Sequence, residues 1–540
     1  MNLEFTIPPR ATPGFEQALV LFRERRYPEA EAMCVELLRR EPGQAHVLHL
    51  LGLILADRGD TANALGCLEQ ALKLNAQDPK LLGAHALMLF RAWRLDEAER
   101  AARAALALDP QLTDVVDILG SILWRRGDVA AARECFARAL QQTPEHAGAW
   151  GNLALLSEQS NRVAEAERMA EQGLALRPQD VMLRLVRGRC LRRRGEFLQA
   201  QAQLEPLAQG GTVALRRDAG YEIALCADAL GTADLAWAHA ERANRLAEQA
   251  APHAFKDGQD FLLQIQGLHT RFTPEWVAAW RALPGALKAP APAFLVGFPR
   301  SGTTLLDSML EGHPDIAVLE ERATEQAMVT TLTQFPGGYP EALRDLTHEQ
   351  HTQVRQSYFN AAALAEGERR RIVDKSPFLT VHLGMVQRIF PGARIIFMLR
   401  HPCDVVLSCF MTSLELNSGT VHFTRMQSSV DLYCKVMSLW QRYREVLPLN
   451  CHQIRYEDLL DNPEANLRPL LEFLDVSWSA EVLRHAEHVP ERGNIKSASY
   501  AQVSRPVYQS SRDRWQRYRK YLEPHLEKLR PWCERFGYAL

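Results

Sequence analysis

Small residues return along the first half of the chain every 34 positions. One series runs Ala18, Gly52, Ala86, Gly120, Ala154 and Gly188; a second runs Ala30, Ala64, Ala98, Ala132, Ala166 and Ala200. Helix-ending prolines keep the same period at Pro42, Pro110, Pro144 and Pro178, with Ala76 in the missing slot. Turn positions carry Gly59, Gly127 and Gly195, with Asn161 as a substitute able to adopt φ > 0. Each unit therefore predicts helix, turn, helix, with small residues where the paired helices approach closely. About six units are visible, with a looser seventh over 213–248. The register fades over 251–292, where TPEWVAAWRALPGALKAPAP ends in a Pro/Ala-rich stretch that reads as a linker. Trp276 and Trp280, four apart, predict that this connecting helix packs on a neighbour.

A 34-residue helix pair is the period and pattern of the tetratricopeptide (TPR) repeat, which stacks into a superhelix with a concave face. Beyond residue 291 the pattern changes to short apolar runs separated by amphipathic stretches. The runs are Phe294–Gly297, RIVD (371–374), ARIIFML (393–399) and HQIRYEDL (452–459). That alternation predicts a mainly parallel α/β sheet covered by helices. The predicted fold class is thus an N-terminal all-α superhelix followed by a P-loop-like α/β domain. The predicted boundaries are 11–250 for the repeats, 251–290 for a helical linker and 291–540 for the α/β domain. Because the register is gone by about 250, a chain starting near residue 255 is expected to keep the chemistry of the second half, provided it folds.

Ligands of such sheets bind at the carboxyl ends of the strands, where Arg300, Lys375, Arg400 and Tyr456 fall. The string Gly297-Phe298-Pro299-Arg300-Ser301-Gly302-Thr303-Thr304 has the G-x-x-x-x-G frame of a phosphate-binding loop. Its backbone N–H groups and the helix start behind it can hold an anion. The lysine of a nucleoside-triphosphate loop is missing, since Thr303 stands in its place and the positive charge sits inside the loop at Arg300. A tight turn with a Ser/Thr cap is the plainer reading. In FMLRHPCDVVLSCF (397–410), Arg400 follows a strand and Ser408 lies in the next helix, although Arg400 could equally pair with Asp404. HPDIAVLEERATE (313–325) places Glu320 and Glu321 after a short apolar strand, either as a base or as acid at a helix start. VDKSPF (373–378) sets Lys375 at a strand end.

Composition narrows the class. The 540 residues carry 63 basic and 65 acidic side chains, so nothing argues for bulk nucleic-acid or membrane binding. No run of about 18 apolar residues is present, and the N-terminus lacks a secretory pattern. Ten scattered cysteines without C-x-x-C spacing argue for reduced, packed thiols in a cytoplasmic protein, not for a metal or disulfide framework.

The whole string from Gly297 to Thr304 resembles the 5′-phosphosulfate loop of sulfotransferases, which use 3′-phosphoadenosine 5′-phosphosulfate (PAPS). The loop followed by His-Pro-Asp and paired glutamates is similar to tyrosylprotein sulfotransferases in particular. The resemblance covers roughly 292–516 and implies PAPS as donor, with no metal. It assigns Arg300, Ser301, Gly302, Thr303 and Thr304 to the 5′-phosphate and sulfuryl group, and Arg400 with Ser408 to the 3′-phosphate. It makes Glu321 the base, with Glu320 as alternative because Val318, Leu319 and Arg322 depart from the family. It places Lys375 and Ser499 on the departing phosphate, and makes Arg505 and Arg514 nucleotide contacts from the C-terminal segment; Tyr456 is a further candidate contact. Two other readings stand beside it: a P-loop kinase or ATPase using Asp374, and an inactive TPR scaffold. The acceptor is left open among a protein tyrosine, a phenolic small molecule, a carbohydrate and a lipid hydroxyl. The TPR groove is expected to take a protein partner; the RLVRGRCLRRRGE stretch (184–196) is either part of that surface or an ordinary solvent face.

Overall fold

The computed structural model describes residues 14–283, 291–364, 368, 370–484 and 512–540. They divide into two compact units, Met1–Arg187 and Gly188–Leu540. Among the described residues there are seven such helix pairs, from Phe15–Arg23 with Tyr27–Arg40 to Val213–Ala229 with Ala233–Ala250. Each intrapair turn holds a residue with positive φ, including Gly59 (84°), Gly127 (91°), Asn161 (60°) and Gly195 (87°). Arg25 (59°) and Trp93 (60°) take the same conformation without glycine, at a cost of about 1–2 kcal/mol each.

The first small-residue series alternates for a reason of volume. A Cβ on Gly52, Gly120 or Gly188 would lie 2.9, 2.7 or 2.6 Å from the side chain of Leu68, Phe136 or Leu204. Those partners stand sixteen positions on; where the series has Ala86 or Ala154, the same slot holds the small Ala102 or Ala170. Each repeat keeps its total volume by trading a methyl for a larger neighbour, as close-packed interiors demand.

The second unit is built on a five-stranded, all-parallel sheet. Its strands are β1 (Ala293–Gly297), β2 (Ile316–Glu320), β3 (Arg371–Lys375), β4 (Arg394–Leu399) and β5 (Asn450–Arg455), in the order β2-β3-β1-β4-β5. Every residue of β1 is buried, as expected of a central strand covered on both faces. After β1 the chain fills one side of the sheet, then crosses to the other at β4. The β1/β4 pair is therefore the point where such sheets open a crevice at their carboxyl ends.

The last helix pair belongs to this unit. Trp237 stacks between Phe410 and Tyr521 at centroid distances of 4.4 and 4.2 Å. Asn244, 2% exposed, donates to the Phe410 carbonyl at 3.0 Å and accepts from the Tyr221 hydroxyl at 2.5 Å. Glu248 pairs with Arg425 at 2.8 Å. The helix His253–Arg271 leads into Phe272, whose ring approaches so closely that a Cβ on Gly384 would sit 2.2 Å away. Trp276 and Trp280 pack edge to face at 5.6 Å, and Arg388 lies over Trp280 at 5.2 Å. Within the stretch that reads as a linker, Ile265, Leu268, Phe272 and Trp276 are part of the apolar core of the second unit.

These contacts reverse the expectation for a chain starting near 255. Such a chain loses Trp237, Asn244 and Glu248 and bares the apolar faces they cover. It should aggregate, or melt well below a chain starting at residue 188, by differential scanning calorimetry. Equal melting temperatures for the two would show that the seventh repeat contributes nothing.

Candidate active site

The loop after β1 is shaped by two crowded glycines. A Cβ on Gly297 would lie 2.7 Å from the Met398 carbonyl and 2.8 Å from Ser301 Oγ. Gly302 has φ 103°, and a Cβ there would meet the Tyr456 ring at 2.4 Å. Arg300 also adopts positive φ, 68°. The helix Thr303–Glu311 follows directly, and the first turn of a helix presents N–H groups with no carbonyl behind them. Ser301 Oγ is buried with no hydrogen-bond partner, a group poised for a ligand oxygen. Thr380, which sequence reasoning missed, clamps the loop by donating to the Gly297 carbonyl at 2.6 Å and accepting from its N–H at 3.0 Å.

The motif after β4 meets this loop. Arg300 Nε donates to Ser408 Oγ at 3.1 Å, and Arg400 Nη1 donates to the Arg300 carbonyl at 3.1 Å. The Arg400 guanidinium also lies over the Tyr456 ring at 4.8 Å. The parallel register that pairs Gly297 with Met398 brings together residues about a hundred apart in sequence. Two guanidiniums and two hydroxyls (Ser301, Ser408) thus gather at the ends of β1 and β4, a donor set suited to phosphate or sulfate oxygens.

On the other side of β1, Lys375 ends β3 with no exposed side-chain surface. Its ammonium lies 2.7 Å from Glu321, 3.3 Å from Glu320 and 3.4 Å from Asp307. Glu320 is in register with Lys375, and the Glu321 N–H bonds the Lys375 carbonyl at 3.0 Å. Glu321 has φ 45°, which turns the chain so that consecutive glutamates reach one ammonium. Burial pulls the Lys375 pKa down, but Asp307, Glu321 and Glu320 outweigh it and hold the amine well above its ordinary value. Asp307 carried no signal in the sequence, because an acid inside a short helix looks like any polar residue.

Asp374 turns the other way. Its carboxylate accepts from Thr324 Oγ1 at 2.9 Å and Tyr358 OH at 3.0 Å, and burial pushes its pKa up to about 6. Strand alternation therefore separates it from Lys375. Arg514 is held by Asp228 of the seventh repeat at 3.0 Å and donates to Met411 Sδ at 3.1 Å. Asp404 accepts the Trp515 N–H at 2.8 Å. Ser499 and Arg505 lie outside the described residues. His401, Cys403 and Cys533 form a buried cluster. The backbone engages both ring nitrogens of His401, Nδ1 at the Cys403 N–H (3.2 Å) and Nε2 at the Ala539 carbonyl (2.8 Å), so the donor set does not fit a metal ion. Among the described residues no helix is long and apolar enough to cross a membrane.

Residues 292–480 match the model of the sulfotransferase family, and 15–79, 49–113, 119–181 and 158–204 match that of the tetratricopeptide repeat. An uncharacterized protein of Aquifex aeolicus is 26% identical over 418 residues, 76% of this chain and 53% of the relative. Protein-tyrosine sulfotransferase A of Caenorhabditis elegans is 26% identical over 234 residues, 41% of this chain and 60% of the relative. Human protein-tyrosine sulfotransferase 1 is 28% identical over 236 residues, 41% of this chain and 62% of the relative. The chain spans between about half and two thirds of the length of these relatives. Its C-terminal half carries a sulfotransferase-family domain homologous to protein-tyrosine sulfotransferases, behind an N-terminal array of TPR repeats.

The raised pKa of Asp374 means that the folded protein prefers this carboxyl neutral. Its favourable contribution is present below the ordinary carboxylate range and is lost as pH rises through about 6. At pH 7 the buried charge costs up to about 3 kcal/mol. Asp374→Asn should melt above wild type at pH 7, and the gap should close by about pH 4. A gap independent of pH would refute this account.

Proposed function

We propose that the protein transfers a sulfuryl group from PAPS to an acceptor hydroxyl. The observation that carries this is the meeting of Arg300, Ser408 and Arg400 at one end of the β1 loop, with the Lys375–Glu321 pair beside the adjoining strand. In this reading the loop amides, Arg300 and Ser301 hold the 5′-phosphate and sulfuryl oxygens, while Arg400 and Ser408 hold the 3′-phosphate. Tyr456 supports the Arg400 guanidinium from below. The acceptor oxygen attacks sulfur as its proton passes to Glu321. The new O–S bond forms as the bond from sulfur to the 5′-phosphate oxygen breaks, and that oxygen keeps the electron pair. Arg300 and Lys375 stabilise the charge that develops there. Positioning and preorganised charge supply most of the rate, and no step calls for a metal.

A kinase or ATPase reading draws no support from this geometry, because Thr303 replaces the phosphate-binding lysine and Asp374 is turned into the core on the opposite face. An inactive scaffold would have no reason to keep Arg300, Lys375, Glu321, Arg400 and Ser408 together. For the acceptor we favour a protein or peptide tyrosine, on the strength of what the relatives are named for, with the TPR groove recruiting it. A screen of tyrosine peptides, phenols, saccharides and lipid alcohols with radiolabelled PAPS tests that choice; label transferred only to non-peptide acceptors would reject it.

Arg300→Ala and Arg400→Ala should each weaken PAPS binding by roughly 10- to 150-fold, the worth of a charge-assisted phosphate contact of about 1.5–3 kcal/mol. Calorimetric titration reads this directly, and unchanged affinity in both would remove the donor assignment. Glu321→Gln should not weaken donor affinity and should lower turnover by roughly 10²–10⁴. If Glu320→Gln does so instead, the base is Glu320.

A further inference from the structure

Lys375 and Asp307 are both fully enclosed, yet the two glutamates that share the lysine are not equivalent to the aspartate. Glu321 is 42% exposed, Glu320 13%, and Asp307 0%. Asp307 sits one turn into the helix that begins at the anion loop, with Oδ2 3.4 Å from the ammonium and Oδ1 accepting from Ser308 Oγ at 3.2 Å. Ser308 is tied to the same helix through the Thr304 carbonyl at 2.9 Å. An ammonium has three N–H bonds; Glu321 and Glu320 accept two of them at 2.7 and 3.3 Å, and the Asp307 carboxylate lies beside them at 3.4 Å. A donor oxygen brings further negative charge to an ammonium already surrounded by three carboxylates, so its arrival loosens one of them. The partner free to leave is the exposed Glu321, because Asp307 has nowhere to go and an enclosed ammonium stripped of counter-ions is strongly unfavourable.

We infer that Asp307 is a positioning residue for the reaction: the fixed counter-ion that keeps Lys375 charged and aimed at the loop while Glu321 gives up its bond to the lysine and takes the acceptor's proton. This rests on the sulfuryl-transfer reading. Its consequence is order. Arrival of the donor oxygen at Lys375 is what releases the base, so the site becomes competent for proton transfer only when the donor is in place. Because Asp307 and the anion loop share one helix, the counter-ion and the cradle keep their spacing as the donor enters.

The test is calorimetric titration of adenosine 3′,5′-bisphosphate into wild type, Asp307→Asn, Lys375→Met and the double variant between pH 7 and 10.5. Wild type should bind with an affinity that holds to the top of this range. Asp307→Asn should bind within about threefold of wild type at pH 7 but lose affinity at least about one pH unit earlier, because one of the carboxylates that offset burial of the ammonium is then gone. The double variant should match Lys375→Met, since Asp307 acts through the lysine. If Asp307→Asn is too unstable to titrate, removing both charges in the double variant should restore a cooperative melt near that of Lys375→Met. Superimposable pH profiles for wild type and Asp307→Asn, additive effects of the two substitutions, or a double variant no more stable than Asp307→Asn would each overturn the inference. Wild type that binds no nucleotide at any pH would instead sink the donor reading, and this inference with it.

Discussion

One crowded strand organises the chemistry of the second unit. β1 is buried along its whole length and pairs with β3 on one side and β4 on the other. Parallel pairing gives all three strands the same direction, so the segments that follow them must emerge at one edge of the sheet. Lys375 leaves β3, the glycine loop leaves β1 and Arg400 leaves β4. The loop can pass between its neighbours only because Gly297 and Gly302 lack side chains. Thr380, bonded to both the N–H and the carbonyl of Gly297, fixes the strand end from which this geometry starts.

Charge is arranged differently on the two flanks of that loop. On the β4 side the guanidiniums of Arg300 and Arg400 meet a hydroxyl, a carbonyl and an aromatic face. On the β3 side the single ammonium of Lys375 is surrounded by carboxylates. The first flank is suited to hold an anion, whereas the second pairs a cation with groups able to accept a proton. A sulfuryl transferase needs both within reach of one sulfur atom, because negative charge accumulates on the departing oxygen while a proton leaves the attacking one.

The glycines of the loop were legible in the sequence because their requirement is local: a turn and a helix start within eight residues. Arg400, Ser408 and Lys375 could be singled out because each follows a recognisable strand. Asp307 and Thr380 were not legible, since nothing near them in sequence announces a partner on another strand. The engagement of Arg514 was not legible for the same reason. Its partner, Asp228, lies far upstream in a helix that reads as an ordinary repeat. The repeat period likewise exposed the turns at Gly59, Gly127 and Gly195 but missed Gly231 in the looser seventh unit, and it concealed Arg25 and Trp93, where tertiary packing imposes the left-handed backbone on residues that do not prefer it.

The stack of Phe410, Trp237 and Tyr521 has a meaning for how such a chain can be reassembled. Phe410 closes the helix that carries Ser408, and its carbonyl is held by Asn244. A recombination event that joined the sulfotransferase-family domain to a different helical array at the apparent end of the repeats would deliver a cassette with an open seam behind Ser408. The exchangeable module is larger than its motifs indicate, and it carries its own terminal repeat as a built-in adaptor. Changes in array length before residue 188 would not touch this seam, because Phe410, Trp237 and Tyr521 all belong to the second unit.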